Sequence, residues 1–227
     1  MKFVEETPSG AVRAIAKRIS DELNAGKRVL WLTSGGSNVE LEVKVMNGVR
    51  KAAAKRLPAL AILPIDERYG EAGHGDSNSA QLRKAGFDPG EATWVDVLLH
   101  NTPFNQTIGF YSDVAATTFA NAGVVIAQFG LGPDGHIAGI LPDSPGVSVE
   151  PVVAIGYDWS DYQRMTLSAD ILRGVQVAFV PAFGENKRTA LDRLQENTEL
   201  FEKLPAKLLY ELPEVYVYTD KLKAKEK

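Results

Sequence analysis

A chain of 227 residues that is 44% hydrophobic and 24% charged can bury a sizeable core without help from metals or cross-links. It contains no cysteine, which excludes disulfides, thiolate metal sites and a thiol nucleophile. A net charge of −4 excludes a general basic field for nucleic acid or an anionic membrane, so any anion must be held by a local cluster.

Met1-Lys2-Phe3-Val4-Glu5-Glu6 lacks the apolar stretch of a signal peptide, and no apolar run approaches the roughly 20 residues of a membrane helix. A cytoplasmic protein is therefore expected. Apolar Ala11, Val12, Ile15, Ala16, Ile19 and Leu23 predict a helix over 9–25, stopped by Gly26. A strand over 28–33 runs into Ser34-Gly35-Gly36-Ser37, and a second helix over 38–57 is closed by Pro58. The next strand, 60–65, contains Pro64, which places it at a sheet edge or makes that residue a strand end. A loop over 66–78, a short helix through 81–84 and a helix over 112–121 lead to a buried strand over 124–127. Strands over 151–155 and 175–180, helices over 185–194 and 204–209, and a strand over 215–218 complete the pattern, before a charged tail at 221–227 that is expected to fray. Apolar strands separated by helices predict an α/β fold, a mostly parallel sheet with helices on both faces, in a single domain over 1–227.

Chemistry concentrates where strands end. Phe129-Gly130-Leu131-Gly132-Pro133-Asp134-Gly135-His136 turns sharply after a buried strand and finishes on an acid and an imidazole, a group able to take and return a proton near neutrality. Its formal G-x-G-x-x-G is not a dinucleotide fingerprint: Asp134 would set a carboxylate at the pyrophosphate, and Pro142 and Pro145 curtail the helix that should follow. Thr33-Ser34-Gly35-Gly36-Ser37-Asn38 reads either as an anion-binding turn at a helix start or as a tight turn capped by Ser37 or Asn38. No Gly-Lys-Ser/Thr follows, which argues against a P-loop.

Asp66-Glu67-Arg68 is a solvated charge run unless Arg68 forks onto phosphate oxygens. His74 rides on a glycine-rich loop behind it, and His100 reads as a surface or structural residue. Arg164 lies in a strand-like segment and Lys187 opens a helix. Each is a surface residue if taken alone, and with Arg68 they can supply three cations to one phosphate. No G-x-S-x-G elbow supports a serine hydrolase.

In this order, Ser34-Gly35-Gly36-Ser37, Asp66-Glu67-Arg68 with Asp76-Ser77-Asn78, the 130–136 turn, Arg164-Met165-Thr166-Leu167 and Gly184-x-x-Lys187 resemble the 6-phosphogluconolactonases of the glucosamine-6-phosphate isomerase/deaminase superfamily. The resemblance implies a NagB/RpiA-like (Rossmann-like) fold and hydrolysis of 6-phospho-D-glucono-1,5-lactone, with no metal or other cofactor. It implies a small sugar phosphate as partner, neither nucleic acid nor membrane, and a monomer or homodimer. Carried over position by position, it puts phosphate on Ser34, Gly35, Gly36, Ser37, Arg68, Arg164 and Lys187, and catalysis on His136 assisted by Asp134.

Asn38-Val39 stands where that family commonly has Thr-Pro, and Tyr69-Gly70 and Ile137-Ala138 are closer to the aminosugar-phosphate deaminases. Against that second branch, Leu141 occupies the place of the Glu that orients the deaminase imidazole. A non-catalytic sugar-phosphate sensor is disfavoured because too few residues precede Arg28 for a DNA-binding module. Asp143 is a candidate for steering the imidazole on proximity in sequence alone.

Overall fold

Val29, Leu30, Trp31, Leu32 and Thr33 are all buried, which a strand achieves only when both its faces are covered. The computed structural model describes residues 1–220 except Val149 and Asp161; the charged tail expected over 221–227 lies outside the described residues. The strands are β1 (Lys2–Glu5), β2 (Val29–Thr33), β3 (Leu60–Pro64), β4 (Asp66–Arg68), β5 (Thr93–Trp94), β6 (Val124–Gln128), β7 (Ala154–Trp159), β8 (Tyr162–Leu167), β9 (Val177–Pro181) and β10 (Glu214–Thr219). Between them lie α1 (Pro8–Asn24), α2 (Val39–Ala52), α3 (Asn78–Lys84), α4 (Phe104–Asn121), α5 (Ala169–Leu172) and α6 (Arg188–Glu196). None of the described helices is long and apolar enough to cross a membrane.

A seven-stranded sheet runs in the order β1-β10-β9-β6-β2-β3-β5, and every neighbouring pair in it is parallel. Successive side chains of a strand point to opposite faces. Val29 and Trp31 of β2 accordingly join Ile15 and Ile19 of α1 and Val45 and Met46 of α2, while Leu30 and Leu32 face Tyr111 of α4 and the α6 side. The α1 helix starts as its sequence dictates: the Thr7 hydroxyl accepts from the Gly10 amide at 3.0 Å, and Pro8 occupies the first turn.

From β2 the chain winds outward through β3 to β5, then returns to the other side of β2 to lay down β6. Such a reversal opens a crevice at the carboxyl ends of the two strands, and the turns after β2 and β6 both lie there. The smaller sheet, antiparallel β4-β8-β7, caps this end. Ile65 couples the two sheets: its amide donates to Thr33 O at 2.8 Å, and its carbonyl accepts from Leu167 N at 2.9 Å.

Several expectations are corrected. Residues 66–68, expected in a loop, form β4, because their backbone pairs with β8 although their side chains are charged. The strand expected at 151–155 begins at Ala154 and continues to Trp159. The helix expected to reach 57 ends at Ala52, and a 3-10 turn over Ala54–Ala59 holds Pro58. Residues 205–211 are also a 3-10 turn. β1 and the first turns of α4 carry no clear sequence signal; β1 is an edge strand held by β10, and α4 is fixed by buried Thr107 and Tyr111. Pro64 is a strand end.

Candidate active site

The turn after β2 depends on Gly35, whose φ of +66° and ψ of −150° suit only glycine. A Cβ there would stand 2.7 Å from the Asn78 side chain. Neither Ser37 nor Asn38 caps the following helix with its side chain. Instead Asn38 Nδ2 donates to Ser34 Oγ at 3.0 Å and to Phe129 O at 3.2 Å, tying the turn after β2 to the turn after β6. The Ser34 and Gly35 amides are directed to the buried Glu42 carboxylate, at 2.7 and 3.2 Å.

Arg68 and Arg164 lie opposite each other on β4 and β8. Each packs its guanidinium against the Tyr162 ring, at 5.6 and 5.8 Å from the centroid. Arg68 Nη1 donates to Asp76 O at 2.8 Å, while the buried Nε of both arginines has no hydrogen-bond partner among the described residues. Lys187 follows Gly184, whose φ is +91°, and its Nζ donates to Leu131 O at 2.6 Å. Burial pushes the Lys187 ammonium below its ordinary value, partly opposed by Asp134. Among the described residues no carboxylate forms an ion pair with any of the three cations. All three line one cavity of about 230 Å³ together with His136 and the Ser34 to Ser37 turn.

His136 is aimed by its own turn. Asp134 Oδ1 accepts from the His136 amide at 3.1 Å and from ring Nδ1 at 2.6 Å. Burial works to raise the Asp134 carboxyl, but the bonds and charge of His136 outweigh it and hold the group down at about 2. An ionised carboxylate can only accept, so Nδ1 carries the proton and Nε2 is left as the basic nitrogen. Gly132 makes this possible, because a Cβ there would lie 2.1 Å from Nδ1. Arg193 Nη1 donates to Asp134 O at 2.7 Å and Ala206 N to Gly135 O at 3.0 Å, so the turn is braced from outside. Asp134 itself supports the imidazole from behind and is not among the cavity-lining residues.

Asp143 does not steer the ring: it sits at a φ of +58° and pairs with Lys203 at 2.7 Å. His74 is outside the cavity wall, with Nε2 2.9 Å from Arg68 O. His100 is exposed. The described residues contain no cluster of three or more His, Asp or Glu placed to hold a metal.

Residues 4–217 match the family of glucosamine-6-phosphate isomerases/6-phosphogluconolactonase. The chain belongs to that family. It is similar to a 6-phosphogluconolactonase of Streptomyces coelicolor, 25% identical over 199 aligned positions that cover 81% of this chain and 76% of the relative. In fold it is similar to a 6-phosphogluconolactonase of Shewanella baltica, with a TM-score of 0.78 at 18% identity and 96% of each chain covered. It is also similar to a monomeric glucosamine-6-phosphate deaminase of the NagB superfamily, with a TM-score of 0.80 at 16% identity, covering 97% and 98% of the two chains.

In this member of the isomerase/lactonase family, the two acids that the sequence presents only within a charged triplet, Asp66 and Glu67, take different places. Asp66 lines the cavity although only 8% exposed. Burial raises its carboxyl, against the lowering influence of Arg68, His136 and Arg164. Its place directly after β3 was the available signal. Glu67 is turned away, accepting from Ser77 Oγ, Asn78 N and Ser79 N at 3.0, 2.7 and 3.1 Å, so it anchors the start of α3.

Proposed function

We propose that this chain hydrolyses 6-phospho-D-glucono-1,5-lactone to 6-phosphogluconate, with His136 as general base and the phosphate on Arg68, Arg164, Lys187 and the Ser34-Gly35-Gly36-Ser37 turn. One observation carries the reading: three cations that have no carboxylate partner among the described residues share a cavity with an imidazole whose Nδ1 is held by Asp134. Two arginine Nε groups buried without a partner are costly unless an anion completes them. The name of the Streptomyces relative supports the lactone as substrate.

In this mechanism Nε2 of His136 removes a proton from a water as that water attacks the lactone carbonyl. The tetrahedral intermediate collapses with cleavage of the bond to the ring oxygen, which receives the proton from the imidazolium. Asp134 stays ionised and stabilises the imidazolium. A positioned base of this kind contributes about 10²- to 10⁴-fold. The phosphate, remote from the reacting carbon, supplies orientation. A lactone is activated enough that the proposal requires no covalent nucleophile.

The test is a paired assay on freshly prepared 6-phosphogluconolactone, corrected for spontaneous opening, and on glucosamine 6-phosphate. Lactonase turnover that disappears in His136→Ala supports the reading. Turnover of the aminosugar alone would replace it with the deaminase, although Leu141, buried where that branch has its orienting Glu, disfavours this.

A further inference from the structure

Glu42, in the first turn of α2, is completely buried, yet no Lys or Arg pairs with it among the described residues. Its carboxylate instead takes three neutral donors from the turn that walls the cavity: Ser34 N at 2.7 Å, Ser34 Oγ at 3.2 Å and Gly35 N at 3.2 Å. Two amides of a turn suited to binding an anion are thus already occupied by an internal one. All four residues of that turn, Ser34 to Ser37, line the cavity, so a ligand there meets the same stretch of backbone that Glu42 holds.

We propose that Glu42 is a positioning residue that holds the Ser34-Gly35 backbone from behind and takes up a proton when a phosphate ester dianion binds on the cavity side. The inference rests on the phosphate reading of the cavity given above. A buried anion stabilised only by neutral dipoles is poised between its two forms. Burial pushes the Glu42 carboxyl up to about 7, although the Ser34 and Gly35 donors work to lower it.

The charged group that faces Glu42 from the cavity is Asp66 on β4, whose negative charge raises it further. Arg68, Arg164 and Lys187 line the cavity beyond the turn, where a bound dianion would neutralise them. The buried residues of α1, α3 and β2 are all uncharged, and Lys55 and Arg56 of the 3-10 turn packed against α2 are exposed. A dianion arriving across one turn of backbone is therefore a like charge that favours protonation. The protonated carboxyl retains acceptor capacity for the two amides, so the turn keeps its shape while the repulsion is removed.

Calorimetric titration of the whole protein with 6-phosphogluconate, in two buffers of different ionisation enthalpy at about pH 8, reads the proton uptake directly. At that pH the ester is fully dianionic. The wild type should take up roughly half a proton more per ligand than Glu42→Gln, while uptake at Lys187 or His136 is common to both proteins. Equal uptake in the two proteins overturns the assignment to Glu42 and leaves the phosphate site standing. No binding heat in either overturns both. Infrared difference spectra of the wild type give a second reading that does not depend on the variant folding. A carboxylic acid carbonyl band should appear on adding ligand, and its absence also overturns the proposal.

Discussion

Arg68 and Arg164 are direct cross-strand partners, two cations opposed on β4 and β8 whose guanidinium groups both lie within 6 Å of the Tyr162 ring, at 5.6 and 5.8 Å from its centroid. Like charges opposed in a sheet are destabilising, so this pairing makes sense when an anion bridges the two. Removing one, as in Arg164→Ala, should raise KM about 10- to 100-fold with a smaller change in kcat, because a charge-assisted hydrogen bond is worth about 1.5–3 kcal/mol. Steady-state kinetics on the lactone checks this, and a loss confined to kcat would contradict a phosphate role.

The shared ring makes a separate expectation. Tyr162→Leu removes the surface on which both guanidinium groups rest and should raise KM about 3- to 10-fold, on the scale of cation–π contacts of roughly 0.5–1 kcal/mol each. Tyr162→Phe keeps the ring face and should restore most of the affinity. If Phe behaved like Leu, the hydroxyl and not the ring would matter.

Asp134 is ionised throughout the neutral range. With its carboxyl held at about 2, no limb of a kcat/KM profile above about pH 4 belongs to it. A depressed value stabilises the fold above the ordinary carboxylate range, and that contribution is lost as pH falls toward 2. Asp134→Asn would leave the imidazole without a carboxylate to hold Nδ1–H. The expected result is a fall in kcat of about 10²-fold or more, with product binding by calorimetry little altered.

How far the sequence could be read depended on what each segment is used for. β2, β6 and β9 were legible because covered faces demand unbroken apolar runs. β4 was not, because Asp66, Glu67 and Arg68 serve the cavity and the start of α3, and only their backbone shows that they are a strand. His136 and Lys187 come in the turns after β6 and β9 and could be found from that rule, whereas Arg164 stands out only as a charge inside a strand-like segment. Glu42 could not be found: an acid in a helix's first turn is ordinary, and its eight-residue separation from Ser34 carries no sign of contact. Asp143 shows the reverse error, being near His136 in sequence but turned to Lys203.

Gly132 offers a test of imidazole placement that leaves the cations untouched. In Gly132→Ala the new Cβ would stand 2.1 Å from His136 Nδ1 and 2.6 Å from Asp134 Oδ1, so the pair must separate. The expected outcome is a fall in kcat approaching that of His136→Ala, with product affinity within about threefold of wild type. Wild-type kcat in this variant would show that the Asp134–His136 pair is dispensable.

Glu42 also makes a prediction about folding that needs no ligand. Its carboxyl is raised from 4.5 to about 7 by burial, with the Ser34 and Gly35 donors opposing. A raised value favours the folded state fully below about pH 4.5, and that advantage is lost as pH rises through about 7. Glu42→Gln does not titrate, so its stability relative to wild type should grow between pH 5 and 8.5, by up to roughly 3 kcal/mol on the order-of-magnitude scale of one pK unit to about 1.4 kcal/mol. Urea unfolding of both proteins at the two pH values measures the difference. A gap that does not change with pH would mean that Glu42 is ionised in the folded protein throughout, held by its amide donors more firmly than its burial opposes.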